Sequence, residues 1–136
     1  MSSTHRIDEP GAPLLLASGA PGLVVTDVDS TLISQEVIEE LAEAAGTREQ
    51  VAAVTARAMN GELDFAESLR ERVATLRGVP QSVFADVLAR ITPTTGAREL
   101  IDAVHAAGGH FGVVSGGFEE VVAPLASSLG IDFYAA

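Results

Sequence analysis

The run Gly22-Leu-Val-Val-Thr-Asp-Val-Asp-Ser-Thr-Leu32 constrains this chain more than any other stretch. It opens with three apolar residues, Leu23-Val24-Val25, as a strand buried in a parallel sheet does. It then delivers two carboxylates, Asp27 and Asp29, followed at once by the hydroxyls of Ser30 and Thr31. Alternation along a strand sends Asp27 and Asp29 to the same side. If the strand ends near Asp27, both instead crowd the loop at its carboxyl end, where open α/β sheets place their ligands. Two carboxylates held that close repel unless a cation or a shared proton lies between them. The pair therefore suits Mg²⁺, covalent catalysis by one carboxylate, and acid/base work by the other. Taken alone, Asp-x-Asp also reads as an acidic loop end without chemistry.

At 136 residues the chain is long enough for one domain with a real core and short for two. An apolar content of 47% favours a packed globule over disorder. No apolar run reaches the roughly 20 residues of a membrane span, and Leu14-Leu15-Leu16 is too short for a signal-peptide core. A cytoplasmic protein with no membrane partner is expected. The absence of cysteine removes disulfides, thiolate metal sites and thiol nucleophiles together. A net charge of −11 argues against nucleic acid, which needs a basic surface. It also repels phosphate, so a phosphate site here needs local positive charge, most simply a metal. All eight basic residues are arginine; there is no lysine.

Residues 1–21 mix Pro, Gly, Ser and charge without periodicity and read as a mobile tail. From Gln35 the pattern turns helical. Val37, Ile38, Leu41 and Ala45 form one face, with Gly46 as a stop. Thr47 with Gln50 matches a capping box for a helix through Val51, Val54 and Ala58, ending at Asn60-Gly61. Asp64 can cap a third, with Phe65, Leu69, Val73 and Leu76 as its inward stripe and Gly78 as its stop. Pro80 fits the first turn of a fourth, Gln81 to Ile91. From Thr92 the α/β rhythm returns. A helix capped by Thr95 runs through Leu100, Ile101 and Val104 and ends at Gly108-Gly109. Phe111-Gly-Val-Val114 is a strand and Ser115-Gly-Gly117 its turn. A helix to Leu129 then contains Pro124, which should kink it or delay its start, and Ile131-Asp-Phe-Tyr134 is the last strand. The fold class is α/β: a Rossmann-type parallel sheet over 22–33 and 92–136, interrupted by a helical insert over 34–91.

Val113-Val-Ser-Gly-Gly-Phe118 puts a hydroxyl and two glycines where a strand gives way to a helix. Glycine admits close backbone approach to a phosphate, and N–H groups at a helix start attract anions. An ordinary glycine turn is the alternative. Arg72 stands out by geometry. At about 100° per residue it falls roughly 20° from Phe65, inside the apolar stripe. An arginine there needs an anionic partner or must snorkel to the edge. Its bidentate fork suits a carboxylate. Glu36 falls in a first helical turn, where a carboxylate is favourable in any case.

Asp27-Val-Asp-Ser-Thr-Leu32 after a hydrophobic run resembles the first motif of the haloacid dehalogenase-like phosphatases. The Asp-Ser-Thr-Leu form is similar to that of the phosphoserine phosphatase family, and Val113–Phe118 resembles the second motif. The resemblance runs from about Leu23 to Ala136. It implies that Asp27 attacks phosphorus and becomes an aspartyl-phosphate, while Asp29 exchanges protons with the leaving oxygen and then with water. It implies Mg²⁺ against Asp27 and the backbone carbonyl of Asp29, and phosphate held by Ser115 and Gly116. It implies a cap whose Glu36 meets the ammonium of O-phosphoserine and whose Arg72 meets its carboxylate, with Met59 and Phe65 closing the pocket.

Two further motifs of that family, a lysine and a Gly-Asp-Gly segment, do not occur here. The chain thus reads as the N-terminal portion of such an enzyme, inactive alone and prone to self-association through the edge of the Leu23–Val25 strand. The competing readings are a catalytically silent remnant or interaction fragment, and a phosphatase of another small phosphomonoester.

Overall fold

A computed structural model of the chain describes residues 5–6 and 22–136. These fall into two compact units, one formed by the chain up to Ser34 with Ile91–Ala136, the other by Gln35–Arg90.

The first unit is a parallel sheet. Its strands are β1 (His5–Arg6), β2 (Leu23–Thr26), β3 (His110–Val114) and β4 (Phe133–Ala135), in the order β1-β4-β3-β2. Of the expected tail, His5 and Arg6 pair with Phe133 and Tyr134; the rest of residues 1–21 lies outside the described residues. Leu23 to Thr26 pair with His110 to Val113, which brings the carboxyl ends of β2 and β3 side by side. Among the described residues β2 is an edge, paired with β3 alone. Phe111, Val113, Val121, Val122, Ile101 and Ile131 are fully buried and make the core of this unit.

Gly112 in β3 stands opposite Phe133, whose ring lies where a β-carbon would go. At the other end of the strands, Asp132 ties three segments. Its Oδ2 lies 2.7 Å from His105 Nε2 and accepts from Phe111 N at 2.7 Å, while its own N–H donates to Phe111 O.

Two helices accompany the sheet. The helix α5, numbered in chain order, spans Ala97–Ala106. Its N-cap is Gly96, not the expected Thr95, because the chain enters in a left-handed conformation (φ 87°) that glycine tolerates. Ala97, Ile101 and Val104 are its buried face, and Leu100 is 48% exposed. The helix α6 spans Glu119–Leu129 with Pro124 inside it, so of the two expected effects of this proline, a kink or a delayed start, the delayed start does not occur. Pro124 is the sixth of its eleven residues, where the missing N–H removes one bond, and the buried Val121, Val122 and Leu125 anchor the turns around it. The last strand begins two residues later than expected, at Phe133, with Ile131 buried ahead of it.

The second unit is helical: α1 (Val37–Ala45), α2 (Arg48–Met59), α3 (Phe65–Ala74) and α4 (Val83–Arg90). α1 packs on α2 and α4, and α2 on α3. Val37, Ile38, Leu41, Val51, Val54, Val83 and Val87 form its core. The helix starts differ from sequence expectation where tertiary contacts intervene. Glu36 is the N-cap of α1, outside the first helical turn, and makes no capping bond with its side chain. Thr47 does not form the capping box; its hydroxyl faces Thr75 Oγ1 at 3.3 Å instead. Asp64 does cap α3, in a reciprocal box with Glu67. α3 stops at Ala74, before Leu76, and its expected stripe is not a core: Phe65 and Val73 are exposed and Ser68 is its buried residue. No helix among the described residues is long and apolar enough to cross a membrane.

Candidate active site

Asp27 follows the last residue of β2 in extended conformation (φ −72°, ψ 168°), and its Oδ1 accepts from Val28 N at 2.7 Å. That bond commits one carboxylate oxygen to the local turn of an otherwise exposed residue. Val28–Leu32 then forms one wide turn, closed by Ile33 N donating to Val28 O at 3.1 Å. Inside it Asp29 is extended and Ser30 is left-handed (φ 52°), the one non-glycine residue with positive φ among the described residues. The turn is seated by burial of Val28 and Leu32.

The register of β2 on β3 carries Ser115 to the same end of the sheet. Ser115 N donates to Ala135 O at 2.8 Å, which fixes the start of the turn on β4, and Gly117 N donates to Ser115 Oγ at 3.0 Å. Gly117 is the point where the two motifs meet. A β-carbon there would stand 3.0 Å from Ser115 Oγ and 3.7 Å from Asp29 Oδ2. The Asp29 carboxylate therefore lies over the Ser115–Gly117 turn, and a side chain at 117 would crowd both groups. Gly116 is exposed, and its N–H has no hydrogen-bond partner among the described residues. An anion seated there would meet an N–H, a serine hydroxyl and the start of α6.

Asp27, Asp29, Ser115 and Gly116 thus share one end of the first unit. The remaining candidates belong to the second and are placed within it. Arg72 is half-buried on α3, with Nε donating to Ser68 O at 3.3 Å and no carboxylate partner among the described residues. By contrast Arg48, Arg57 and Arg90 are each paired with glutamates. Met59 and Phe65 are 84% and 70% exposed, apolar side chains that their own unit does not bury. Glu36 flanks the start of α1.

No cluster of three or more metal-ligating side chains occurs among the described residues. The donors at the carboxylate turn are all hard oxygens, Asp27, Asp29 and backbone carbonyls, which match Mg²⁺ in kind. Water and phosphate oxygens ordinarily complete such a shell.

Three residues were not singled out by the sequence. Gly117 could have been, as the second glycine of the doublet after Ser115. Thr94 could not: its Oγ1 donates to Thr31 O at 2.6 Å and its N–H to Leu32 O at 2.9 Å, contacts made across more than sixty residues of chain. Thr26 lines a cavity of about 230 Å³ with Thr31, Leu32, Thr94, Leu100 and Phe111, and its buried hydroxyl has no hydrogen-bond partner among the described residues.

The chain is similar to known phosphoserine phosphatases over most of its length. Phosphoserine phosphatase of Streptococcus thermophilus is 54% identical over 116 residues, covering 85% of this chain and 54% of that protein. The Lactococcus lactis phosphoserine phosphatase is 54% identical over 114 residues, covering 84% and 53%. A solved phosphoserine phosphatase described as a phospho-aspartyl intermediate analogue superposes with a TM-score of 0.76 at 41% identity, covering 85% of this chain and 56% of that one. A substrate-bound phosphoserine phosphatase complex gives the same TM-score and identity, covering 84% and 55%. The chain therefore spans about half the length of these relatives. The model of the haloacid dehalogenase-like hydrolases matches residues 24–136, which include both motifs, and the chain belongs to that family.

Proposed function

We propose that this chain carries the nucleophile, the acid/base group, the phosphate-holding turn and the substrate cap of a Mg²⁺-dependent phosphoserine phosphatase. The observation that supports it most is the approach of Asp29 to the Ser115–Gly117 turn beside Asp27. A nucleophile, a proton carrier and an anion cradle then serve one small volume.

Asp27 holds its carboxylate plane through the bond to Val28 N and presents the other oxygen to phosphorus. Attack forms an aspartyl–phosphate bond and breaks the bond from phosphorus to the serine oxygen, to which Asp29 gives a proton. Water then attacks phosphorus, Asp29 takes the proton, and the Asp27–phosphorus bond breaks to release phosphate. Ser115 and the Gly116 N–H hold the non-bridging oxygens throughout. Asp27 and the Asp29 carbonyl would hold Mg²⁺, which would supply the positive charge that two carboxylates and a phosphate require. In the second unit, Arg72 takes the substrate carboxylate, Glu36 its ammonium, and Met59 and Phe65 cover it. O-Phosphoserine is thus the substrate, in a cytoplasmic setting without nucleic acid or membrane.

Residues 1–136 contain no lysine to offset phosphate charge, so on its own the chain is expected not to turn over. The test therefore uses the chain extended to its relatives' length, for instance by fusion to the remainder of the Streptococcus thermophilus enzyme. Hydrolysis of O-phosphoserine abolished by EDTA is expected, along with beryllofluoride capture that fails in Asp27→Asn. Asp29→Asn should retain capture and lose turnover. Wild-type turnover by Asp27→Asn would remove the nucleophile assignment.

A further inference from the structure

Ser30 occupies a conformation that L-residues avoid, immediately after Asp29. A residue with a β-carbon remains there only when its surroundings hold it. On the near side the turn is closed by Ile33 N to Val28 O. On the far side it is held by Thr92–Thr94, a segment that returns from the other end of the helical insert. Ser34 N donates to Thr92 O at 3.0 Å, Ile33 bridges Pro93, and Thr94 N donates to Leu32 O at 2.9 Å. All of these are backbone contacts. The exception is Thr94 Oγ1, which donates to Thr31 O at 2.6 Å, the carbonyl directly after Ser30.

Thr94 therefore grips two successive carbonyls with one residue. Its hydroxyl fixes the peptide plane joining Thr31 to Leu32, and its N–H fixes the next. These planes begin one residue beyond Ser30, so they anchor the segment into which its left-handed turn leads, with Asp29 extended before it toward Gly117. Water could satisfy the Thr31 carbonyl, but it would not anchor it. We propose that Thr94 is a positioning residue that holds Asp29 over the Ser115–Gly117 turn through the carbonyl of Thr31. Its effect should fall on the proton transfers of Asp29 rather than on substrate binding.

The kinetic half of the test rests on the phosphatase reading; the spectroscopic half does not. In residues 1–136, NMR Cα and Cβ shifts of Ser30 report its left-handed conformation. Thr94→Val keeps the shape and removes the donor, and should move these shifts toward ordinary values; Thr94→Ser should restore them. In the extended enzyme, Thr94→Val should lower kcat about tenfold, the scale of a modest misplacement, with KM for O-phosphoserine little changed. Thr94→Ser should recover most of that loss. An inactive wild-type enzyme would defeat the functional reading and leave the Ser30 shifts to decide this one. Unchanged shifts, or moved shifts with wild-type kcat, would overturn the proposal. So would equal losses in Thr94→Val and Thr94→Ser, which would make Thr94 a purely structural residue.

Discussion

Arg72 offers the sharpest separation of binding from folding. Its guanidinium is half-buried and makes one long bond to an uncharged acceptor, Nε to Ser68 O at 3.3 Å, within a single turn of its own helix. Truncation to alanine should cost the fold little, about 1 kcal/mol for a bond this long and partly open to solvent, or a few degrees in Tm for a chain of this size. In the complex proposed here the same group meets a substrate carboxylate. A charge-assisted hydrogen bond is worth about 1.5–3 kcal/mol, which converts to roughly 10- to 150-fold.

Phosphoethanolamine shares the phosphate and the amine of phosphoserine and lacks its carboxylate. In the extended enzyme Arg72→Ala should lower kcat/KM for O-phosphoserine by that factor and leave phosphoethanolamine nearly unchanged. Arg72→Lys should fall between, because a lysine lacks the planar fork. Steady-state phosphate release on both substrates, with a thermal melt of each variant, measures all of this. If the ratio of kcat/KM values stays within twofold of wild type, Arg72 does not read the carboxylate. A melt lowered by ten degrees or more with an unchanged ratio would assign it to the fold instead.

Other expectations concern the chain itself. Gly112→Ala puts a β-carbon into the Phe133 ring, 2.6 Å from Cδ2. Overpacking of this kind costs about 1–3 kcal/mol, so urea unfolding should shift accordingly and Phe133→Leu should recover part of it; additive effects would show that the ring does not cover Gly112. Asp64→Ala breaks the capping box of α3 and should destabilise by about 1 kcal/mol, visible as faster amide exchange at Glu67; unchanged exchange there would argue against the box. β2 is an uncharged edge strand among the described residues, with Val25 45% exposed. The 136-residue chain should therefore self-associate in sedimentation, and Val25→Lys should shift it toward monomer; a wild-type chain that sediments as a monomer at all concentrations would contradict this.

The strand before Asp27, the glycine turn after β3 and most of the helix stops were legible in the residues, because each rests on local chemistry. An apolar run ending in paired carboxylates leaves a sheet few options, and Gly46 and Gly130 stop α1 and α6 where a left-handed residue is required. The inward face of α3 was not legible. Period alone put Phe65 and Val73 inward, yet its buried residue is Ser68, since which stripe is covered depends on neighbours that period does not name. Thr47 lost its capping role to a contact with Thr75, and Thr95 lost its own to a left-handed Gly96, because a cap competes with whatever tertiary packing brings near. At the active end, sequence determined which groups are present: two carboxylates, a hydroxyl and two glycines. Only the register of β2 on β3 decided that Asp29 lies over Gly117, and only the return of the chain at Thr92–Thr94 brought Thr94 onto the carbonyls of Thr31 and Leu32. Those are distances between segments far apart in sequence, set by packing of the whole unit, and no local pattern encodes them.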